Sequence, residues 1–186
     1  MFIRRLGAFF LDVLEIIVFA IGIFFFVYLL IMRPHKIKGL SMHPNYPDGE
    51  YLLTEKVSYY LHKPVRGDVV VFKPPVSEED EYIKRIIGFP GETVLLKDGK
   101  VYINDNLLNE PYIADNVYTS GQGFISDGVA FTIPEGEYFV MGDNRPHSSD
   151  SRAWGPIKPK VITGRAWLVY WPLKSAGIAP KYNYKI

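Results

Sequence analysis

The sequence contains no cysteine among its 186 residues. This absence excludes disulfide bonds, a thiolate nucleophile and a zinc site with cysteine ligands. Histidine is also scarce, and the four histidines are scattered, so none forms the His-Glu-x-x-His pattern of zinc proteases. We expect neither a metal ion nor an organic cofactor.

Several other motifs are missing. The sequence has no Gly-x-x-x-x-Gly-Lys phosphate loop and no Gly-x-Ser-x-Gly nucleophile turn, and no serine is followed by lysine three residues later. An excess of basic charge is missing too, since 21 basic and 20 acidic residues leave a net charge of +1. Nucleic-acid binding usually needs a basic patch or stripe, so we expect no nucleic-acid partner.

A long apolar run is present near the N-terminus. The uncharged stretch Ile16–Met32, together with Leu6–Leu14, exceeds the roughly 20 residues needed to cross a bilayer core. A cleaved signal peptide would have a shorter run followed by a small-x-small site, and a buried helix would show a polar stripe. We predict a retained anchor in residues 1–33, with its span at about 12–32. Basic residues flank the run on both sides, so they do not decide its orientation.

After Pro34 the pattern changes to short runs rich in β-branched and aromatic residues, separated by turn residues. Asp98-Gly99 between two such runs is a strong hairpin signal. This pattern predicts a mainly β, antiparallel domain over residues 34–186. The predicted strands are Tyr51–Val57, Asp68–Phe72, Tyr82–Ile87, Thr93–Leu96, Val101–Ile103, Ala130–Ile133, Tyr138–Met141 and Ala166–Trp171.

Two segments of this domain read as exposed connectors. Residues of about 104–128 form a long irregular excursion, in which 109–128 is rich in Asn, Asp, Ser and Gly. The acidic run Glu78–Glu81 is interpreted as a solvated loop and not as a metal site.

Three turn-like segments carry a density of chemically active residues that plain turns do not require. The first is Gly39–Pro44, just past the anchor, and the second is Tyr82–Gly88 with the following Pro90–Glu92. The third is the strongly polar run Gly142–Arg152. These segments are the candidates for the chemistry of the chain.

With the Arg66–Phe72 strand, these segments resemble bacterial type I signal peptidases. The matching motifs are Ser41-Met42-x-Pro44, Arg66-Gly67-Asp68-Val69-Val70-Val71-Phe72, Tyr82-Ile83-Lys84-Arg85-Ile86-Ile87-Gly88-x-Pro90-Gly91-Glu92 and Gly142-Asp143-Asn144-Arg145…Ser148-x-Asp150-Ser151-Arg152. They occur in the order of that family behind an N-terminal span, and the resemblance covers nearly the whole chain.

The resemblance implies an antiparallel β domain with one N-terminal transmembrane helix, anchored as a single pass in the cytoplasmic membrane with the catalytic domain on the extracytoplasmic face. It implies a serine endopeptidase that removes N-terminal signal peptides from exported preproteins after small residues, of the Ala-x-Ala type. The expected partners are those signal peptides and the lipid bilayer.

The resemblance also implies roles for individual residues. Ser41 would be the nucleophile and Lys84 its general base, while Ser148 would orient the lysine amine and Asp150 and Arg152 would form a supporting ion pair. The other residues implied for the oxyanion hole and the support of the site are Gly39, Gly142, Asp143, Asn144 and Arg145. The residues implied for shallow substrate pockets are Met42, Ile37, Tyr82 and Ile83.

A Ser–Lys pair is chemically reasonable only if the lysine is neutral. A free lysine has a pKa near 10.4 and cannot accept a proton at neutral pH. Burial disfavours the charged form and lowers that pKa by up to about 3–5 units. The isoleucines that flank Lys84 favour such burial.

The sequence departs from the family pattern at two positions near the nucleophile. Asn45 stands where the family usually has threonine, and Gly39 stands where some members have a serine that contributes a hydroxyl to the oxyanion hole. Any oxyanion hole would therefore rest on backbone N–H groups, including that of Ser41.

Some alternatives stay open from the sequence. A Ser41–His147–Asp143 triad is chemically conceivable. A self-cleaving repressor shares the Ser-Met-x-Pro motif but would begin with a DNA-binding domain. A catalytically inert membrane-tethered β module would not need Ser41, Lys84 and Ser148 together, and an archaeal or endoplasmic-reticulum type of peptidase would carry histidine in place of Lys84.

Overall fold

The computed structural model describes residues 2–77, 79–182 and 184. A long N-terminal helix is followed by a β domain with short helical turns. The elements, in chain order, are α1 Phe2–Leu30, β1 Met32–Lys36, β2 Tyr51–Glu55, α2 Ser58–Leu61, β3 Val69–Phe72, β4 Tyr82–Gly88, β5 Thr93–Lys97, β6 Lys100–Ile103, β7 Asn106–Leu107, β8 Phe131–Thr132, β9 Phe139–Met141, α3 Ser151–Trp154, β10 Ile162–Trp171 and β11 Gly177–Ile178.

Helix α1 contains the predicted membrane anchor. Of the described residues, Arg5–Tyr28 alone forms a helical window long and apolar enough to cross a bilayer, with a mean hydropathy of 2.6 and no burial. Its 24 residues span about 36 Å at 1.5 Å per residue, more than the roughly 30 Å of a hydrocarbon core. Helix α1 itself ends at Leu30, because Met32 already belongs to a strand that pairs with β2.

The β domain is antiparallel throughout, as the sequence pattern predicted. Among the described residues, one sheet has the strand order β1-β2-β10-β3-β4-β9, with β11 paired to β10, and a second sheet has the order β7-β6-β5-β8. The sequence pattern missed β1, in which Pro34 pairs with Leu53. Proline is tolerated there because β1 is the terminal strand of the order and needs no second ladder of hydrogen bonds.

The predicted Asp98-Gly99 hairpin joins β5 to β6. Lys97 pairs with Lys100, and Asp98 and Gly99 have φ values of 52° and 74°. Two consecutive positive φ values match the twist of paired strands, and Gly at the second position adopts one without a steric penalty.

The first sheet is buried on both faces around β3 and β4. Along β3, Val69 and Val71 pack with one core cluster, while Val70 and Phe72 pack with another on the opposite face. A fully buried side chain such as Phe72 contributes about 2 kcal/mol to stability. Consequently, any side chain in the middle of β4 is shielded from water on both sides.

The irregular excursion between β6 and β8 is only partly what the sequence predicted. Its backbone is irregular apart from β7, but Tyr112, Thr119 and Ile125 in it are at most 5% exposed. The prediction of an exposed connector is therefore wrong for these residues. The physical reason is that the excursion wraps the buried charges beneath the candidate site, described below.

The acidic run agrees with a solvated loop over its described part. Glu79, Asp80 and Glu81 are exposed, and Glu78 lies outside the described residues. The Glu81 carboxylate also pairs with the His35 ring at 3.0 Å, which ties this loop to β1.

Candidate active site

Ser41 lies in the turn that follows β1. The main chain of Asn144 holds this turn from the other side, since its N–H donates to the Ser41 carbonyl at 3.0 Å. The Asn144 side-chain amide donates to the Leu40 carbonyl, also at 3.0 Å. The first and third polar segments of the sequence are thus joined directly beside the Ser41 hydroxyl.

Lys84 lies in the middle of β4 and is 3% exposed. Its Nζ is 2.8 Å from the Ser41 Oγ and 2.9 Å from the Ile83 carbonyl oxygen. It also lies 5.1 Å from the centre of the Tyr82 ring. A neutral amine in this position can donate a hydrogen to the carbonyl and offer its lone pair to the Ser41 hydroxyl.

The protonation of Lys84 is set by this burial. Burial lowers its pKa from the ordinary 10.5 to about 8, although the negative charges of Asp150 and Asp143 act in the opposite direction. At pH 7 about a tenth of the Lys84 amines are then neutral, compared with fewer than one in a thousand for a free lysine.

Asp150 and Arg152 form a buried ion pair next to the site. Arg152 Nε is 2.8 Å from Asp150 Oδ1, and both side chains are at most 1% exposed. The Asp150 carboxylate also accepts hydrogen bonds from the Gly142 N–H at 3.0 Å and from the Ser148 hydroxyl at 2.7 Å. Burial alone would raise the pKa of Asp150, but these bonds hold that pKa below its ordinary value.

Ser148 is placed differently from what the resemblance implied. Its hydroxyl donates to Asp150, and the hydrogen bonds of Lys84 within the described residues go to Ser41 and to the Ile83 carbonyl. A contact in which Ser148 orients the lysine amine is therefore not among the hydrogen bonds of the described residues. Ser148 instead donates to the Asp150 carboxylate, which also accepts the Gly142 N–H.

Gly142 lies between these groups, and no larger residue fits there. A Cβ atom at this position would lie 2.2 Å from the Ser148 Oγ and 2.5 Å from the Ser41 carbonyl oxygen. Distances of that size are far inside van der Waals contact. The glycine thus allows the Asp150 support and the Ser41 turn to approach each other.

Arg85 and Asp143 form a second buried ion pair, with 2.6 Å between Arg85 Nη2 and Asp143 Oδ2. The Arg85 guanidinium also lies 4.1 Å from the centre of the Tyr112 ring. Asn45, in the Ser41 turn, donates its amide to Asp143 at 2.9 Å and to the Tyr112 carbonyl at 2.8 Å. In the sequence Asn45 is only a departure from the family pattern. No local pattern could reveal its contact with Asp143, which lies 98 positions away.

Arg145 anchors the third polar segment. Its Nε donates to the Gly142 carbonyl at 3.0 Å, and its Nη1 donates to the Thr119 hydroxyl at 3.0 Å. It also pairs with the Glu110 carboxylate. Because Glu110 and Thr119 belong to the irregular excursion, that excursion neutralises and holds the buried arginine. This is why the excursion packs inward.

The backbone around Ser41 provides the candidate oxyanion donors. Gly39 has a φ of +89°, which favours glycine, but its N–H already donates to the Asp48 carboxylate at 2.7 Å. The Ser41 N–H donates no hydrogen bond within the described residues. Of these two groups, the Ser41 N–H is the one available to a substrate oxygen.

An open cleft of about 850 Å³ leads to Ser41 and Lys84. Ile37, Tyr82 and Ile83 are among the residues that line it. Met42 is 1% exposed and packs in the core with Ile37 and Leu52, so its side chain lies beneath the cleft and not on its surface.

The alternative Ser41–His147–Asp143 triad is not formed. The His147 ring lies 3.2 Å from the Asn144 side-chain oxygen, and Asp143 is committed to Arg85. Within the described residues there is also no group of three or more His, Cys, Asp or Glu side chains that could hold a metal ion.

A serine hydroxyl within hydrogen-bond distance of a buried amine, at the end of an open cleft, is the arrangement of a serine hydrolase. Comparison with known proteins gives the family. Residues 10–171 match the family model described as signal peptidase, peptidase S26. The chain belongs to this family, it is a serine endopeptidase, and the resemblance seen in the sequence is confirmed.

Individual relatives agree with this assignment. The chain is 37% identical to a probable signal peptidase I-2 of Synechocystis sp., over 87% of this chain and 72% of the relative. It is 36% identical to a signal peptidase I of Bacillus licheniformis, over 84% of this chain and 86% of the relative. A solved signal peptidase I from Enterococcus faecalis is 35% identical and superposes on 56% of this chain and 97% of its own, with a TM-score of 0.45.

Proposed function

We propose that the chain removes signal peptides from exported preproteins, with Ser41 as the nucleophile and Lys84 as the general base. The observation that carries this proposal is the 2.8 Å distance between Lys84 Nζ and Ser41 Oγ. It is supported by the burial that lowers the pKa of Lys84 to about 8. A serine becomes an effective nucleophile when an adjacent group accepts its proton, and only a neutral lysine can do so.

The reaction proceeds in two halves. Neutral Lys84 takes the Ser41 proton as Oγ attacks the carbonyl carbon of the scissile peptide bond, and a tetrahedral oxyanion forms. The Ser41 N–H donates to that oxyanion, which is the stabilisation usually largest in acyl transfer. The C–N bond then breaks, Lys84 passes its proton to the leaving amine, and an acyl ester on Ser41 remains. Water, deprotonated by Lys84, hydrolyses the ester and restores both residues.

The surrounding residues act by positioning. One side of the Ser41 turn is backed by a wall of bonded groups centred on Asp150. The Asp150 carboxylate pairs with Arg152 and accepts hydrogen bonds from Ser148 and Gly142. Asp143 and Asn144 connect that wall to the turn, and Arg145 fixes it to the excursion. None of these residues needs to exchange a proton during the reaction.

The cleft supports a preference for small side chains. Ile37 and Ile83 line the cleft and are only 3% and 9% exposed, so they offer it a closely packed apolar surface. Such a surface suits the two small residues of an Ala-x-Ala motif, with Tyr82 at its edge.

The anchor and the substrate support the proposed topology. Residues 1–33 hold the chain in the cytoplasmic membrane as a single pass, and residues 34–186 form the catalytic domain on the extracytoplasmic face. Exported preproteins present their signal peptides to this face, with the apolar part of the signal peptide in the bilayer.

Cleavage of a purified preprotein with an Ala-x-Ala site tests the proposal, using the full chain in detergent and the variants Ser41→Ala, Lys84→Ala and His147→Ala. The first two should lose activity by about a thousandfold or more, as for other catalytic groups that act as a unit. His147→Ala is the control and should stay active. Near-normal activity of Lys84→Ala, or an inactive wild type, would overturn the proposed mechanism.

A further inference from the structure

The chain beyond β10 turns back along that strand. Strand β11 pairs with β10, and the Ala179 N–H donates to the Trp167 carbonyl at 2.9 Å. We refer to residues 177–182 and 184 as the C-terminal segment. None of these residues lines the cleft that leads to Ser41 and Lys84. Any contribution of the C-terminal segment to the site is therefore made through other residues.

The C-terminal segment places an aromatic ring on the buried guanidinium of Arg85. The centre of the Tyr182 ring lies 5.3 Å from the guanidinium carbon, and the centre of the Tyr112 ring lies 4.1 Å from it. The two rings also contact each other, with 5.5 Å between their centres, and the Tyr184 ring lies 5.9 Å from that of Tyr112. A cation within about 6 Å of an aromatic face is attracted to it, most strongly where water is excluded. Arg85 is 0% exposed, so Tyr182 both attracts the guanidinium and helps to keep water from it.

Gly67 leaves the room that this packing needs. A Cβ atom at position 67 would lie 2.1 Å from the Tyr184 ring. The Gly67 carbonyl also accepts a hydrogen bond from Arg85 Nη1 at 3.0 Å. The turn at Gly67 therefore contacts both the C-terminal segment and the guanidinium of Arg85.

Arg85 connects these rings to the Ser41 turn. Its Nε and Nη2 donate to the two carboxylate oxygens of Asp143 at 2.8 and 2.6 Å. The same carboxylate accepts the side-chain amide of Asn45 at 2.9 Å, and Asn45 lies four residues after Ser41 in the same turn. A displacement of the Asp143 carboxylate would therefore be passed on to the turn that carries the Ser41 hydroxyl.

We propose that Tyr182 is a positioning residue for Ser41. Its ring keeps the Arg85 guanidinium dry and in place, so that Asp143 holds a fixed carboxylate toward Asn45. Exclusion of water strengthens such charged hydrogen bonds, because the local dielectric constant is low. Without the ring, water competes for Arg85 and Asp143, and the Ser41 turn loses its fixed position. This inference rests on the proposed function, since it concerns the reactivity of Ser41.

The test is the kcat and KM for cleavage of a preprotein with an Ala-x-Ala site by the full chain in detergent, at a temperature at which circular dichroism shows every variant folded. Tyr182→Ala should lower kcat about tenfold with little change in KM, because the C-terminal segment does not line the cleft. Tyr182→Phe keeps the aromatic face and should stay within about twofold of the wild-type kcat. The matched control is Tyr102→Ala, which removes a half-buried tyrosine from β6 in the second sheet and should keep the wild-type kcat.

A double-mutant cycle with Asn45→Ala separates positioning from a general loss of structure. Asn45→Ala should itself lower kcat, and the addition of Tyr182→Ala should then lower kcat less than about twofold further, because the two residues act through the same chain of contacts. The inference would be overturned by reductions that multiply in the double variant, by a wild-type kcat in Tyr182→Ala, or by an equal loss in Tyr102→Ala. These results would leave the proposed function standing. A wild type that does not cleave the preprotein would overturn the proposed function and this inference with it.

Discussion

Replacing Lys84 with methionine should change how the stability of the protein depends on pH. Burial lowers the pKa of Lys84 in the folded protein from 10.5 to about 8, while the unfolded chain keeps the ordinary value. Between these two values the unfolded chain binds a proton that the folded protein does not bind, so the wild type becomes more stable as the pH rises. The penalty for burying the charge is complete below about pH 8 and is absent above about pH 10.5.

The size of the effect follows from the two pKa values. At about 1.4 kcal/mol for each pH unit, the complete penalty is about 3 kcal/mol. Between about pH 7 and about pH 9.5 the wild type should recover about 2 kcal/mol of it. The conversion is justified because Lys84 is 3% exposed and solvent screens it little. The methionine variant also loses two hydrogen bonds of about 1 kcal/mol each, but this offset does not vary with pH.

The assay is thermal unfolding of the full chain in a non-ionic detergent, followed by tryptophan fluorescence at about pH 7 and about pH 9.5. For a domain of this size, 2 kcal/mol corresponds to about 4–8 °C in Tm. The Tm of the wild type minus that of Lys84→Met should therefore rise by about 4–8 °C over this range. Lys97→Met, at the exposed end of β5, is the control and should keep a constant difference from the wild type.

A difference between wild type and Lys84→Met that does not vary with pH would refute the reasoning. It would mean that Lys84 is as well solvated in the folded protein as in the unfolded chain. Burial could then not be the source of a neutral lysine at the site, even if Lys84→Met were inactive.

Two further predictions concern catalysis. In the proposed mechanism only the deprotonated form of Lys84 accepts the Ser41 proton, so kcat/KM for a preprotein should rise about tenfold per pH unit below about pH 8 and level off above it. A profile that is flat between about pH 6 and about pH 8 would contradict this. Gly142→Ala should abolish cleavage, because its Cβ would lie 2.2 Å from Ser148 Oγ and 2.5 Å from the Ser41 carbonyl oxygen. Gly177→Ala is the control and should cleave like the wild type, because a Cβ there would have nothing within 4 Å. Equal activity of the two variants in the preprotein assay would show that the residues around Gly142 tolerate the added methyl group.

The features that sequence reasoning predicted well are those set by neighbouring residues. The apolar run predicted a membrane helix, and the structure has a long apolar helix over Phe2–Leu30. Strand alternation and Asp98-Gly99 predicted the antiparallel β domain and its hairpin. The motifs around Ser41 and Lys84 predicted that these two side chains would meet, and they lie 2.8 Å apart. Their catalytic roles stay a prediction.

The errors arise where a side chain's environment depends on distant residues. The resemblance implied that Met42 helps to line a substrate pocket, whereas its side chain packs in the core cluster with Leu52. The polar excursion reads as exposed, yet it packs inward because Arg145 needs Glu110 and Thr119 as partners.

The sequence by itself determined the N-terminal apolar helix, the antiparallel β class, the family and the pair of side chains that carry the proposed chemistry, because these follow from local pattern and motif. Only the tertiary structure decided that Lys84 is buried, that Ser148 donates its hydroxyl hydrogen to Asp150, and that Asn45 joins the Ser41 turn to Asp143. The physical reason is that a pKa or a buried hydrogen bond depends on which distant groups exclude water from an atom. That exclusion exists only after both faces of the first sheet are covered.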